Sequence, residues 1–408
     1  MISLRHWIPL CLGLSLFSSA AAETIEVTPD GDWFALLSGD RLVPGDELVL
    51  RGGVYSDPRL LTVRLSGTAG KPIVVRAADG EQVTFERPDA RQNTFNLAGN
   101  QHLHLKGFEI TGGASGIRIA PEGDRQPSDV LIEDVHIHHI GGVAITCNHA
   151  GGDYKRMTFR RNHIHHTADH GEAFYLGGND ATAIFSESLI ENNYIHDLNG
   201  PSVSQGDGIE IKQGSFGNRI IGNVIHDTGY PGVTVYGTQG KSVNFIENNL
   251  IWNTGDHGIQ AAADAVIRGN FIQNAANCGI YSREHQGAVP NRLRIEKNYV
   301  ADSQDAAVRI IGAESGKVDG EVILQVLDNQ LFARDGQPAF RIENIDVSMA
   351  RGNLGIGKVL GSETFAASWN QPIAATPTTP PPAMSQLADN PAWQFLNRDE
   401  VRTRFNAR

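Results

Sequence analysis

A lysine, a tyrosine and three acidic residues of this chain are of the types needed to move protons and hold a cation. They are Lys212, Tyr236, Glu172, Asp207 and Glu210. Gathered in one place, they suit an elimination next to a carboxylate. A base takes the proton on the carbon beside the carboxyl group and an acid protonates the departing oxygen. The carboxylate must also be neutralised, or the carbanion-like intermediate is too costly. Lys212 is the candidate base, provided crowding lowers its pKa. Tyr236 is the candidate acid. Glu172, Asp207 and Glu210 are hard oxygen donors of the kind Ca2+ takes, which makes Ca2+ the candidate cofactor.

These residues are spread over the sequence, so a repeating element must bring them together. One phrase recurs as Asn162-His-Ile-His, Asn193-Tyr-Ile-His, Asn223-Val-Ile-His, Asn249-Leu-Ile-Trp, Asn270-Phe-Ile-Gln, Asn298-Tyr-Val-Ala and Asn329-Gln-Leu-Phe. Its intervals are 31, 30, 26, 21, 28 and 31 residues. Between its copies stands a second phrase: Gly116-Ile-Arg-Ile, Gly208-Ile-Glu-Ile, Gly232-Val-Thr-Val, Gly258-Ile-Gln-Ala and Gly279-Ile-Tyr-Ser. Alternation with period two describes short strands with one buried face. A constant phrase at variable intervals describes the coils of a solenoid, joined by loops of changing length. Helical alternatives fail, because no long window has a 3.6-residue period and 45 residues are Gly. The expected fold is therefore all-β: a single-stranded right-handed parallel β-helix of roughly ten or more coils, with an irregular C-terminal tail. The recurring Asn is expected to form an internal ladder.

The alternation also sorts side chains. Counting each Gly of the second phrase as zero, positions two and four face outward. The second position reads Arg118, Ala144, Tyr175, Glu210, Thr234, Gln260, Tyr281, Arg309 from coil to coil. At about 4.8 Å per coil, Lys212 and Tyr236 become direct neighbours with Glu172, Asp207 and Glu210 beside them. Tyr175, Tyr230, Tyr281, His170, His257 and Arg283 are candidate substrate-binding residues. Arg283, about 14 Å from Lys212, suits a neighbouring subsite. Aromatic rings on such a strip stack on apolar faces. The insertions at 148–156, 177–188 and 199–207 would wall the cluster. Plainer readings stand beside these: a Lys212–Glu210 surface ion pair, a solvated acidic turn, and covering aromatics. His138, His165, His196 and His226 share one position in successive coils, followed by Trp252 and Gln273, which reads as a surface stack.

The chain carries a net charge of −12, which argues against a nucleic-acid partner. It also requires a local basic patch or a bound cation if the substrate is an anion. Residues 1–22 read as a signal peptide: Arg5 and His6, an apolar run from Trp7 to Phe17, and small residues before Glu23. Cleavage is expected near Ala22, giving a secreted or periplasmic protein without membrane insertion. The β-helix is expected over 23–365, a Pro/Thr-rich linker over 366–384, and a tail or short helix over 385–408. Cys147 and Cys278 fall about five coils apart, roughly 24 Å, beyond disulfide reach.

The opening segments, Gly45-Asp-Glu-Leu-Val-Leu-Arg-Gly-Gly-Val-Tyr55 and Ser66-Gly-Thr-Ala-Gly-Lys-Pro-Ile-Val-Val-Arg76, resemble the first coils of secreted β-helix polysaccharide lyases of the chondroitinase-B and alginate-lyase type. Glu210-Ile-Lys212-Gln-Gly-Ser-Phe-Gly-Asn218 is similar to the phrase in which chondroitinase-B-type lyases place a lysine base, and Lys212 matches that lysine. Those lyases carry an arginine on the following coil, where this chain has Val233-Thr-Val-Tyr236. The resemblance implies β-elimination on an acidic, uronate-containing polysaccharide. Rival expectations are a glycoside hydrolase using Asp207 and Glu210, a uronate epimerase, and a non-catalytic glycan-binding β-helix. A monomer is expected.

Overall fold

The computed structural model describes residues 22–313, 322–345 and 348–361. Its strands lie in three long parallel sheets of 13, 12 and 12 strands, and each turn of the chain adds one strand to each. One turn, for example, supplies Thr158–Arg160 to the first sheet, His163–His165 to the second and Phe174–Leu176 to the third. The expected all-β parallel solenoid is what forms.

Stacked apolar columns explain why the coils cohere. Along the first sheet Ile132, Phe159, Ile190, Ile220, Ile246, Ile267, Ile295 and Val326 are in register. All are fully buried. A single coil has no interior, so this surface leaves water only when neighbours stack. The glycine that opens several third-sheet strands, as at Gly116, Gly208, Gly232, Gly258 and Gly279, is a packing requirement. A Cβ at Gly208 would collide with the Gly232 carbonyl oxygen and lie 2.7 Å from Ile225 Cγ2.

The Asn phrase marks the corner between the first and second sheets. Its preceding residue is left-handed, as at Arg161, Asn192, Gly222, Asn248 and Gly269, and the Asn itself turns inward. Asn162, Asn193, Asn223, Asn249, Asn270, Asn298, Asn329 and Asn353 form a continuous ladder. Each Nδ2 donates to the Oδ1 of the next at 2.9–3.0 Å. Asn223→Ala would orphan the Asn193 N–H groups that donate to Asn223 Oδ1, and the Ile190 carbonyl that accepts from its amide. The expected loss is about 3 kcal/mol, read as a lower denaturation midpoint by circular dichroism. A loss below about 1 kcal/mol would mean that water enters the corner.

Two features differ from expectation. The register puts Thr146, not Ala144, between Arg118 and Tyr175. In this coil Ala144, not a glycine, immediately precedes the strand Ile145–Cys147, so counting from Gly142 slips by two. A short helix, Trp33–Ser38, also lies near the start. Trp33, Leu36 and Leu37 are its buried side chains, and the Trp33 ring meets Tyr55 and Phe85 edge-on at 5.6 and 5.7 Å. Six residues are too few to show in a long-window search for helical period. The expected linker and C-terminal tail lie outside the described residues, as does the leader apart from Ala22. Among the described residues no helix is long and apolar enough to cross a membrane.

Candidate active site

The third sheet positions the cluster. Tyr175, Glu210 and Thr234 are consecutive register partners on its outer side. Ile211 pairs with Val235, which places Lys212 beside Tyr236 one coil on. Lys212 Nζ lies 2.5 Å from Glu210 Oε1, and the Tyr236 hydroxyl donates to the same oxygen at 2.9 Å. The ammonium also sits 4.5 Å from the centre of the Tyr175 ring and 5.1 Å from that of Tyr236. The Lys212–Glu210 pair is thus buried and shared with a phenol, unlike a surface pair.

Glu172, Asp207 and Glu210 present carboxylate oxygens within 4.8 Å of one another, and all three side chains are buried. Asp207 accepts a hydrogen bond from Thr234 Oγ1 at 2.7 Å. Glu172 is 0% exposed, and neither of its carboxylate oxygens has a hydrogen-bond partner; Glu210 Oε2 has none either. Burial, then the charge of Glu210, push both Glu172 and Asp207 above the usual carboxylate range. A solvated acidic turn has neither property. Buried acids with orphaned oxygens suit a hard divalent cation, and Ca2+ fits this donor set.

Lys212 departs from the expected direction. Burial presses its pKa down, but the charge and hydrogen bond of Glu210 outweigh burial and carry it above the ordinary lysine value. The resting residue is an ammonium. Burial, followed by Glu210, likewise raises the Tyr236 phenol, so its proton stays in place.

The other candidates divide. Tyr281 stacks on His257 at 4.0 Å between ring centres, and the Arg283 guanidinium lies 6.0 Å from the Tyr281 ring. This group begins two coils beyond Glu210 along the same face. Burial holds His257 down to about 4, so its ring is neutral. His170 is exposed at the rim, where its carbonyl accepts N–H bonds from Gln205 and Gly206. Tyr230 is not in the cluster: it is 44% exposed and lines an open polar groove with Asn199, Gln205, Asp227, Asn253 and Asn274. The strand register alone could not show this, because Tyr230 sits in a turn.

Asp153–Lys155 and Ile184–Ser186, within insertions expected to border the site, pair as a small parallel sheet whose Tyr154 and Phe185 join the main core. A tight loop at 284–289 folds back from a later coil, and His285 stacks on Tyr236 at 5.1 Å. Sequence reasoning missed His285, since strand alternation says nothing about which way a loop leans. Burial, then Arg283 and Lys212, depress its pKa, which leaves a neutral imidazole over the phenol. Thr234 was assigned no role from sequence, yet it fixes Asp207.

Comparison with known proteins agrees with this architecture. A family model described as a right-handed beta helix region matches residues 152–323. Pectate lyase PEL9 of Emericella nidulans is 34% identical over 83 residues, which cover 18% of this chain and 20% of that protein. The match therefore spans one fifth of that relative's length. Among solved structures, a mannuronic acid specific polysaccharide family 6 lyase from human gut microbiota superposes with a TM-score of 0.59 at 15% identity, covering 92% of this chain and all of that one. The polysaccharide lyase Pedsa3628 of Pseudopedobacter saltans gives 0.53 at 14% identity over 86% of this chain and 97% of its own. The chain is a right-handed parallel β-helix protein whose fold is the one these polysaccharide lyases share.

Proposed function

We propose that the protein is a polysaccharide lyase that cleaves an acidic, uronate-containing polysaccharide by β-elimination. The observation that carries this reading is Glu210. One of its oxygens is shared by an amine and a phenol, and its neighbours Glu172 and Asp207 are buried acids of raised pKa. The lyase activity of proteins with the same fold supports it.

In this reading Glu172, Asp207 and Glu210 hold Ca2+. When bound, the ion supplies the positive charge that offsets these acids and the substrate carboxylate. Lys212, next to Glu210, would take the proton beside the carboxyl group as the neutral amine, the form that its burial favours. Tyr236 keeps its proton and stands on the adjacent coil to give it to the leaving oxygen. His257, Tyr281 and Arg283 contact the sugars further along the strip. A hydrolase that inverts wants carboxyl groups roughly 6.5–9.5 Å apart. Glu172, Asp207 and Glu210 each bring one oxygen within 4.8 Å of the others, a convergence that suits joint cation binding. The leader-like opening supports export, and the protein would act outside the cytoplasm as a monomer.

The test is to mix the purified protein, with and without Ca2+, with alginate, pectate, hyaluronan and chondroitin sulfate. Ultraviolet absorbance of an unsaturated product is the expected result on one of them. New reducing ends without that absorbance would indicate a hydrolase, and binding without either would indicate a glycan-binding scaffold. Tyr281→Ala is expected to raise KM by about three- to tenfold with kcat nearly unchanged, since it removes stacking without touching the reacting atoms.

A further inference from the structure

The second sheet bears a different cluster, on another face of the solenoid. His136 pairs with His163 and His138 with His165, which sets four imidazoles at the corners of one patch. The rings of His136 and His163 stack at 4.5 Å and those of His138 and His165 at 5.2 Å, both nearly parallel. Across the diagonal, His136 Nε2 lies 2.8 Å from His165 Nε2. We propose that His136, His163 and His165, with Glu109 and His138 alongside, form a binding site for a first-row transition-metal ion of the Zn2+ or Cu2+ class.

Convergence is the first argument. His136, His163 and His165 each offer one nitrogen within 4.8 Å of the others, and Glu109, His136 and His138 form a second such group around the shared His136. Tetrahedral coordination at ~2.0–2.1 Å puts ligand nitrogens roughly 3.3 Å apart. That spacing lies between the 2.8 Å contact and the 4.8 Å limit, so small ring rotations suffice.

The second argument is the proton count. Two neutral imidazoles facing at hydrogen-bond distance share one proton, so each such pair already presents one bare nitrogen. Moving the shared proton to the outer nitrogen of His136 bares both inner ones without charging either ring. Burial, aided by the neighbouring imidazoles, lowers His136 to about 4 and His163 and His165 to about 2, so the rings are neutral and able to ligate.

Outer partners also fix the rings. His138 Nε2 meets Glu109 Oε1 at 2.8 Å. His163 Nε2 meets His196 Nε2 at 2.8 Å, while His196 Nδ1 meets Asp197 Oδ2 at 2.8 Å. These carboxylates hold His138 and His196, the rings next to His136, His163 and His165. Stacking alone does not demand histidine, because the same column continues as Trp252 and Gln273. Nor would this patch duplicate the acidic trio: imidazole selects borderline ions, whereas carboxylates without nitrogen select Ca2+.

The test uses the full chain without an affinity tag. Titration calorimetry with Zn2+ is expected to show one bound ion, and Cu2+ is expected to give an electron paramagnetic resonance spectrum split by nitrogen ligands. His163→Gln and His165→Gln should each weaken Zn2+ binding by about tenfold or more, whereas Glu172→Gln should leave it unchanged. The Cu2+ spectrum of the unaltered chain tests the site even if a variant folds poorly. No Zn2+ binding, a Cu2+ spectrum without nitrogen splitting, or binding abolished by Glu172→Gln but not by the histidine variants would each overturn the proposal.

Discussion

Lys212→Ala is expected to lower kcat/KM on the cleaved polymer by about 10²–10⁴, with the protein still folded. The amine is the group placed to take the proton, and no other lysine adjoins Glu210 among the described residues. Removing it also leaves Glu210 Oε1 with only the Tyr236 hydroxyl, so a buried carboxylate loses its ion-pair partner. A modest stability change should accompany the kinetic one, and Ca2+ should partly offset it by neutralising Glu210. Following absorbance and melting temperature together separates the two effects. Wild-type rates in a folded Lys212→Ala protein would remove Lys212 from the chemistry. Arg at this position restores charge but cannot act as a base, so Lys212→Arg should remain inactive while recovering stability.

Ca2+ is expected to raise the melting temperature of the unaltered chain, and chelation to lower its activity by about 10²–10³. Glu172→Gln combined with Asp207→Asn should abolish both responses. An ion present at a hundredfold its Kd adds about 2.7 kcal/mol to stability. The cause lies in burial. Without a cation, Glu172 and Asp207 are acids whose ionised forms are opposed by the interior and by Glu210. The double variant keeps the shape and removes two charges, so its cation-free form should be at least as stable as the parent. If Ca2+ leaves the wild-type melting curve unmoved and activity survives chelation, the trio holds protons and not a metal.

How much of this was readable in the sequence follows from what strand alternation can encode. The Asn phrase gave coil boundaries because its corner needs one left-handed residue followed by a side chain that reaches along the stack. The neighbourhood of Lys212, Tyr236 and the three acids was readable for the same reason: all lie on or next to regular third-sheet strands. Two other features were not. Thr146 was displaced because its strand is opened by Ala144 where the phrase has a glycine, so the count started at Gly142 instead. His285 and Tyr230 sit in loops, whose course depends on packing that no periodicity records. The direction of the Lys212 pKa was also hidden. It depends on a 2.5 Å contact with Glu210, and spacing of two along a strand permits such a contact without requiring it.

The helix Trp33–Ser38 gives the solenoid a direction. A stack of parallel coils exposes unpaired backbone at its ends, and such an end can recruit another chain. Near the start of the chain, the ring of Trp33 lies against Tyr55 and Phe85, the first aromatic residues of the interior. During synthesis this segment is made before any later coil. Each later coil can then stack onto a start whose aromatic packing is already in place. Loss of Trp33 would therefore both empty a buried site in the first coils and leave the nascent chain open to mispairing between copies.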